Sequence, residues 1–258
     1  AGGAGTATAQ NPHDGLTWSG PDTCLECHES EAIEVHGSVM YQWHGEAPEV
    51  VNGPAAQGKI SGGVNSYCIN ITGNWAGCGS CHIGLGAMPG PDPTPAELAN
   101  IDCMICHQQE YRRKKEGDAF VPDLAAMTIT MDEAVQTVHS PERYNCLQCH
   151  AKAGGGDAVK RGDLALAQIA TTDSSFDIHM AVTGADLKCQ ECHTTTEHRV
   201  AGRGSDLRPT DSDVVIDCTD CHENMATQHP GATRRRHIAR VACQTCHIGT
   251  YAKNASDT

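Results

Sequence analysis

The chain has 258 residues, of which only 4% are aromatic, and its formal net charge is −14. Two Phe and three Trp are too few large side chains for an ordinary core of this length, so we expect prosthetic groups to supply apolar volume. Without those groups the chain is not expected to fold. The negative charge argues against a nucleic-acid partner, and no apolar run is long enough to predict a membrane span.

Residues 1–20 are rich in Gly, Ala and Thr and predict a flexible N-terminal tail. A single domain is expected over residues 21–258. The sequence does not start with a charged segment followed by an apolar stretch, so we expect any signal peptide to have been removed already.

From residue 24 onward, the pattern Cys-x-x-Cys-His occurs seven times. Two thiols at this spacing attach the vinyl groups of one porphyrin, and the adjoining histidine becomes the proximal ligand of the iron. Zinc is the alternative, but a zinc site does not need a histidine directly after the second cysteine. The sequence therefore predicts seven covalently bound haem c groups. The residues that would hold them are Cys24, Cys27 and His28; Cys78, Cys81 and His82; Cys103, Cys106 and His107; Cys146, Cys149 and His150; Cys189, Cys192 and His193; Cys218, Cys221 and His222; and Cys243, Cys246 and His247.

Cysteine usage also indicates the compartment. Seven motifs with two cysteines each use all but one of the 15 cysteines, so structural disulfides are not expected. Haem is attached to such motifs outside the cytoplasm, which predicts a periplasmic, cell-surface or extracellular protein.

Secondary structure is predicted to be sparse and helical. Residues 94–97 form a capping box with proline at the first helical position, and residues 130–133 form a second one. The second helix is predicted to place Val135, Val138 and His139 on one face. Asp163 is predicted to cap a third helix through Leu164, Leu166 and Ile169. Strand alternation is not evident. The predicted fold is mostly α with extensive loops, a multihaem cytochrome c wrapped around a haem stack with little or no β-sheet.

The sixth coordination position decides what a haem does, because a second protein ligand favours electron transfer and an open position favours substrate binding. Eight histidines lie outside the motifs, enough to give every iron a second imidazole. Ligation of His13, in the predicted tail, stays open between the same chain, a neighbouring copy and none. These candidates are His13, His36, His44, His139, His179, His198, His229 and His237.

Basic residues are bunched at 112–115 and 234–236 in an otherwise acidic chain. One interpretation is a solvated face or pairing with haem propionates. The other is a local attraction for an anionic substrate or an acidic partner.

Several stretches resemble the octahaem tetrathionate reductase family of multihaem cytochromes, over roughly residues 21–250. They are VNSYCI at 64–69, GGGDAVKRGDL at 154–164, DIHM at 177–180, CHTTTEH at 192–198 and VACQTCHI at 241–248. The family has eight haem motifs and this sequence has seven, because the sequence ends eleven residues after His247. We therefore expect the last haem to lie near a surface.

The resemblance implies a reactive second haem with Lys160 as its distal ligand, beside Cys68, Asn65 and Asp157. A lysine amine binds iron only when deprotonated, and a thiol near an open iron can exchange sulfur. Asp157 would relay protons and Asn65 would orient an oxyanion. The alternatives are an inert buried thiol at Cys68, a solvated charge at Lys160 and a turn cap at Asp157.

Two functions follow from these observations. The first is electron transfer through closely packed haems to other redox proteins or to copies of the same chain, with an end-to-end filament as its strong form. The second is reduction of a small sulfur or nitrogen compound, such as tetrathionate, nitrite or hydroxylamine, at a lysine-ligated second haem.

Overall fold

The computed structural model describes residues 11–46, 51–60, 73, 75–152, 156–157, 164–201 and 217–248. The chain divides into two compact units. The first comprises Ala1–Gln42 and Tyr67–Asn145, and the second comprises Trp43–Ser66 and Cys146–Thr258. The first unit contains the motifs that begin at residues 24, 78 and 103, and the second contains the other four.

The described elements are mostly short helices joined by loops. The α-helices are α1 Asp22–His36, α2 Val39–Gln42, α3 Trp75–Cys78, α4 Pro95–Leu98, α5 Met104–His107, α6 Met131–Gln136, α7 Arg143–His150, α8 Cys189–Cys192, α9 Met225–Gln228, α10 Ala232–Ile238 and α11 Gln244–His247. Single 3-10 turns cover Gly79–Cys81, Leu166–Ile169 and Cys218–Asp220.

In the described ranges, the strands form three antiparallel pairs of two to four residues. They are β1 His44–Glu46 with β2 Ala56–Gly58, β3 Arg113–Glu116 with β4 Ala119–Pro122, and β5 Thr195–Thr196 with β6 Arg199–Val200. The predicted fold class, mostly helix and loop with little sheet, is confirmed.

Two helix starts follow directly from the sequence. The Thr94 hydroxyl accepts a hydrogen bond from the Glu97 N–H, and Pro95 occupies the first turn of α4. At α6, Thr130 and Glu133 form the complete reciprocal capping box that was predicted. However, α6 ends at Gln136, so the prediction that Val138 and His139 lie on a face of this helix is wrong.

The segment before α1 is held against α6. The Trp18 N–H donates to Asp132 Oδ1 at 2.8 Å, Gln136 donates to the Leu16 carbonyl at 2.7 Å, and Asn11 donates to the Gln136 carbonyl at 2.9 Å. Asn11, Leu16 and Trp18 therefore make long-range hydrogen bonds to α6, and the flexible tail over residues 1–20 stays a prediction. Residues 1–10 lie outside the described part of the chain.

The first unit has a small apolar core. Ala32 of α1 packs with Tyr41, Leu98 and Ile101, which brings the first motif's helix against the segment before the third motif. Tyr41 is fully buried, and its hydroxyl accepts from Asn100 at 2.8 Å and lies 3.0 Å from a Glu97 carboxylate oxygen. A buried phenol needs such partners, so this polar network fixes the core geometry.

The second unit buries smaller side chains. Among its described residues the fully buried apolar side chains are Leu147, Ala151, Ala165 and Ala181. Helices α8, α9, α10 and α11 bury none of their side chains. These residues do not form a large apolar core by themselves. In the described part of the chain, the helices are too short or too polar to cross a membrane.

Candidate haem sites

Four of the motifs form a single helical turn. In each, the histidine N–H donates to the carbonyl of the first cysteine, four residues earlier. The pairs are His107 with Cys103 at 3.1 Å, His193 with Cys189 at 2.8 Å, His222 with Cys218 at 2.9 Å and His247 with Cys243 at 3.0 Å. Residues three and four apart share one side of a helix, so one turn presents two thiols and an imidazole together.

Among the described residues, three motif histidines each lie close to a histidine from outside the motifs. The ring centroids are 6.1 Å apart for His13 and His28, 6.0 Å for His179 and His222, and 5.9 Å for His229 and His247. A metal–imidazole nitrogen bond is about 2 Å long, so two imidazoles on opposite sides of one metal ion have centroids about 6 Å apart. The three pairs have the spacing that bis-histidine ligation of an iron requires.

Hydrogen bonds at Nδ1 orient three of the motif and candidate ligand histidines. The Nδ1 of His229 donates to the Met225 carbonyl at 2.9 Å, and the Nδ1 of His193 donates to the Ala201 carbonyl at 2.8 Å. His107 does the same with the His139 carbonyl at 3.0 Å. Since a carbonyl only accepts, each ring carries its proton on Nδ1 and keeps the Nε2 lone pair for a metal.

The surroundings of these groups also fit haem c. Exposed apolar side chains flank ligand candidates in the second unit, with Ile178 beside His179 and Ile248 beside His247. In the first unit, Cys24 and Cys103 open into a cavity of about 190 Å³ whose wall includes Trp18, Met104 and Phe120. A covalently attached porphyrin needs thiols for attachment, imidazoles for its iron and apolar walls for its ring, and these groups occur together here.

The second motif differs from the others. His82 is 1% exposed, its Nε2 donates to the Tyr41 carbonyl at 2.6 Å, and its Nδ1 accepts from the Gly84 N–H at 3.1 Å. Its ring also lies edge-on to Trp75, with centroids 5.0 Å apart. Burial lowers the pKa of His82 to about 4, so the ring is neutral. Both of its nitrogens are engaged by the protein in this arrangement.

Two other candidate ligands are also engaged by the protein. His139 accepts from the Gln109 N–H at Nε2 and donates from Nδ1 to the Ser140 carbonyl. His36 is buried, with Nε2 3.3 Å from the Gln42 amide nitrogen and 3.9 Å from a Glu97 oxygen. Their ligation stays a prediction.

The remaining three candidates are placed differently. His44 has a buried Nδ1 without a hydrogen-bond partner among the described residues, as a ring awaiting another ligand would. His198 follows Glu197 in the two-residue turn between β5 and β6, and both have positive φ. A two-residue hairpin turn of this kind requires positive φ at both of its central residues. His237 lies exposed in the last turn of α10.

The predicted catalytic group falls largely outside the described residues. Lys160, Cys68 and Asn65 all lie there. Asp157 is described, and its Oδ1 accepts from the Leu166 N–H at 2.7 Å, at the start of a 3-10 turn. This bond joins Asp157 to a turn nine residues later in the chain, and both the catalytic interpretation and the local turn cap stay predictions.

Neighbouring motifs contact one another within each unit. In the first unit, a hydrogen bond between the Cys24 and Cys103 thiols raises the pKa of Cys103 and lowers that of Cys24. In the second, burial and then a hydrogen bond to Cys243 raise the pKa of Cys218. These contacts bring the first motif to the third and the sixth to the seventh.

Two further proximities continue the series in the second unit. Burial raises the pKa of Cys192, and the neighbouring Cys221 raises it further. Burial lowers the pKa of His150, and an electrostatic interaction with the nearby His193 lowers it further. The fourth, fifth, sixth and seventh motifs therefore lie next to one another in sequence order.

Arg113 connects the second motif to the third. Its guanidinium donates to Asp102 Oδ2 at 3.0 Å and to the carbonyls of Ser80, His82 and Gly84. Asp102 directly precedes Cys103, so the ion pair joins the end of one motif to the start of the next. Burial raises the pKa of Asp102, and the Arg113 charge opposes that shift. Arg113 thus has a structural role, whereas Lys114 and Lys115 of the same basic run are exposed.

The chain is similar to the octahaem cytochrome c of Shewanella oneidensis, with a TM-score of 0.73 and 28% sequence identity over 94% of this chain. The fold is that of a multihaem cytochrome c. The chain covers 54% of that protein, so it spans about half the length of the octahaem cytochrome. The resemblance predicted from the sequence is thereby confirmed at the level of the fold.

The same multihaem cytochrome fold accounts for motifs that sit on single helical turns and for a core poor in large side chains.

An uncharacterized protein of Archaeoglobus fulgidus is 27% identical over 71% of this chain and 76% of its own length. No protein-family model matches the chain.

Proposed function

We propose that this protein transfers electrons outside the cytoplasm through seven covalently bound haem c groups, one at each Cys-x-x-Cys-His motif. Bound haem c supplies a one-electron iron couple at each site. The observation that carries the proposal is the set of three histidine pairs, each joining a motif histidine to a second imidazole at the spacing of a shared iron.

The second imidazole favours a carrier over a catalyst. His13, His179 and His229 would fill the sixth positions at the first, sixth and seventh motifs, which leaves no place for substrate there. Two imidazoles also give lower potentials than an imidazole with a methionine. The pairing of His13 with His28 supports ligation within one chain.

The motif contacts support a route for the electrons. Within the second unit, the fourth to seventh motifs form an unbroken series of neighbours. Within the first unit, thiol contact links the first motif to the third, and Arg113 links the second to the third. Each residue set that would attach a haem therefore has such a set beside it.

The test is spectroscopic. Mass spectrometry of protein matured in a haem-attaching host should show the chain plus seven haems. Replacing His13, His179 or His229 by alanine should each convert one haem from low to high spin in the electron paramagnetic resonance spectrum. Gln228→Ala is the matched control, since Gln228 is exposed, lies next to His229 and is not a candidate ligand, and it should leave the spectrum unchanged. Fewer than seven haems, or three silent alanine variants, would refute the proposal.

A further inference from the structure

The region around the last motif carries an unusual charge for this protein. Residues 224–248 contain no Asp or Glu, although the whole chain has a net charge of −14. Arg234, Arg235 and Arg236 lie on α10, and Arg240 follows two residues after its end. All four are exposed, and we call them the arginine segment. Among the described residues, the ion pairs involve other side chains.

The arginine segment lies beside the seventh motif. It occupies the stretch of chain between His229 and His247, the two histidines whose rings face each other. Successive residues of an α-helix project about 100° apart. Three consecutive arginines therefore point over a wide arc, and a single group bound near His247 cannot pair with all of them. The segment is left with cationic surface facing outward.

The opposite charge occurs at the first motif. Helix α1, which contains Cys24, Cys27 and His28, has five acidic residues and no Lys or Arg. Glu26 and Glu29 are exposed on either side of Cys27 and His28. We call α1 the acidic helix. The first motif of the chain thus lies at a negatively charged surface, and the last motif lies at a positively charged one.

We propose that the arginine segment of one copy docks on the acidic helix of a second copy, bringing the seventh motif of one beside the first motif of the next. The two surfaces differ, so the contact is heterologous and extends into a chain of copies or closes into a ring. The inference rests on the proposed electron-transfer function in one respect only, namely that electrons would pass from one copy to the next across this contact. The contact itself is measurable without any electron transfer.

The contact should be weak and sensitive to salt, because exposed ion pairs are individually weak and are screened. Between about 0.02 M and about 0.5 M salt, the screening length falls from roughly 20 Å to roughly 4 Å. Sedimentation velocity of the haem-loaded protein should show concentration-dependent association at the low salt and monomers at the high salt.

Charge reversal provides the specific test. Variant A carries Glu26→Arg and Glu29→Arg, and variant B carries Arg235→Glu and Arg236→Glu. Each alone juxtaposes like charges, so self-association should weaken by about tenfold or more. In an equal mixture the unchanged arginine segment of A can dock on the unchanged acidic helix of B, and association should return as contacts between A and B. The matched control, Lys115→Glu with Lys152→Glu, makes the same change in net charge as variant B at other exposed positions and should associate like the wild type.

Three results would overturn the inference. They are a wild-type protein that stays monomeric at low salt, single variants that associate as well as wild type, and a mixture that fails to recover. If the arginine segment bound an acidic redox protein but the wild-type protein stayed monomeric at low salt, the inference would also be overturned. Haem content and reducibility of the wild-type protein at high salt are measured separately. Their absence would refute the proposed function, whereas loss of association alone refutes only the docking.

Discussion

The ion pair between Arg113 and Asp102 gives the sharpest test of how the first unit is held together. The two side chains are 8% and 3% exposed, and their nearest N–O distance is 3.0 Å. Arg113→Met would remove this partner together with the donors to the carbonyls of Ser80, His82 and Gly84. Asp102 would then be a buried carboxylate without its compensating charge.

The cost should be large. Removing one partner of a buried ion pair costs about 3 to 5 kcal/mol, because the remaining charge stays desolvated. That is a substantial part of the roughly 5 to 15 kcal/mol by which domains are stable. Replacing both partners, as Arg113→Met with Asp102→Leu, removes the buried charge and should recover much of the loss.

The effect should also depend on pH. Burial already raises the pKa of Asp102, and loss of Arg113 would raise that pKa further. A pKa raised by folding contributes stability that is present below the unfolded value and is lost as pH rises through the folded value. The variant should therefore be least impaired in acid, and its deficit should widen toward neutral pH.

Guanidinium chloride unfolding of the haem-loaded protein, followed through the haem absorption bands, measures these effects. Lys114→Met is the matched control, since it breaks an exposed ion pair with Glu116 and should leave the midpoint unchanged. If Arg113→Met unfolded within about 1 kcal/mol of wild type, or if the double variant were no better than the single, the structural role assigned to this pair would be wrong.

Four further outcomes are expected. Gly84→Ala would place a methyl group 2.7 Å from the ring of buried His82, and the overpacking should lower the unfolding free energy by about 1 to 3 kcal/mol in the same denaturation assay. Thr130→Ala should lower it by about 1 kcal/mol through loss of the α6 cap, with serine restoring most of it. His179→Met should raise the midpoint potential of one haem in a spectroelectrochemical titration, and an unchanged titration would exclude His179 as a ligand. Lys160→Met should change the spin state of one haem and any tetrathionate or nitrite turnover if the reductase prediction is correct, and that prediction fails if neither changes.

Local features of the structure could be predicted well from the sequence. A haem motif needs only one helical turn, so its presentation is fixed by residues within four positions of each other. The same holds for the caps at Thr94 and Thr130, where one hydroxyl meets a backbone N–H three residues later. Short-range hydrogen bonds determine these elements, and nothing distant overrides them.

Long-range partners could not be predicted in the same way. The sequence does not say which haem each of the eight spare histidines would ligate, and it leaves the ligation of His13 open because His13 lies in a predicted flexible tail. Its ring instead faces His28, and the adjacent residues bond to α6. Comparing the number of spare histidines with the number of expected irons does not say which residues the folded chain brings together.

The basic run at 112–115 shows a second limit. A charged stretch indicates solvent exposure, yet the Arg113 side chain is buried and donates hydrogen bonds to four oxygen atoms. Its neighbours Lys114 and Lys115 stay outside. The buried Asp102 was the available signal, because a carboxylate inside a protein requires a counter-charge.

The scarcity of buried side chains in α8, α9, α10 and α11 has a consequence for how the protein is made. Peptide segments this short do not hold a helix in water by themselves, so the order of events during biogenesis matters. If haem groups bind as proposed, their attachment should come before residues 189–247 acquire their shape, rather than after. Until then this part of a newly made chain would stay extended and open to proteases, which would tie the lifetime of the polypeptide to the supply of porphyrin.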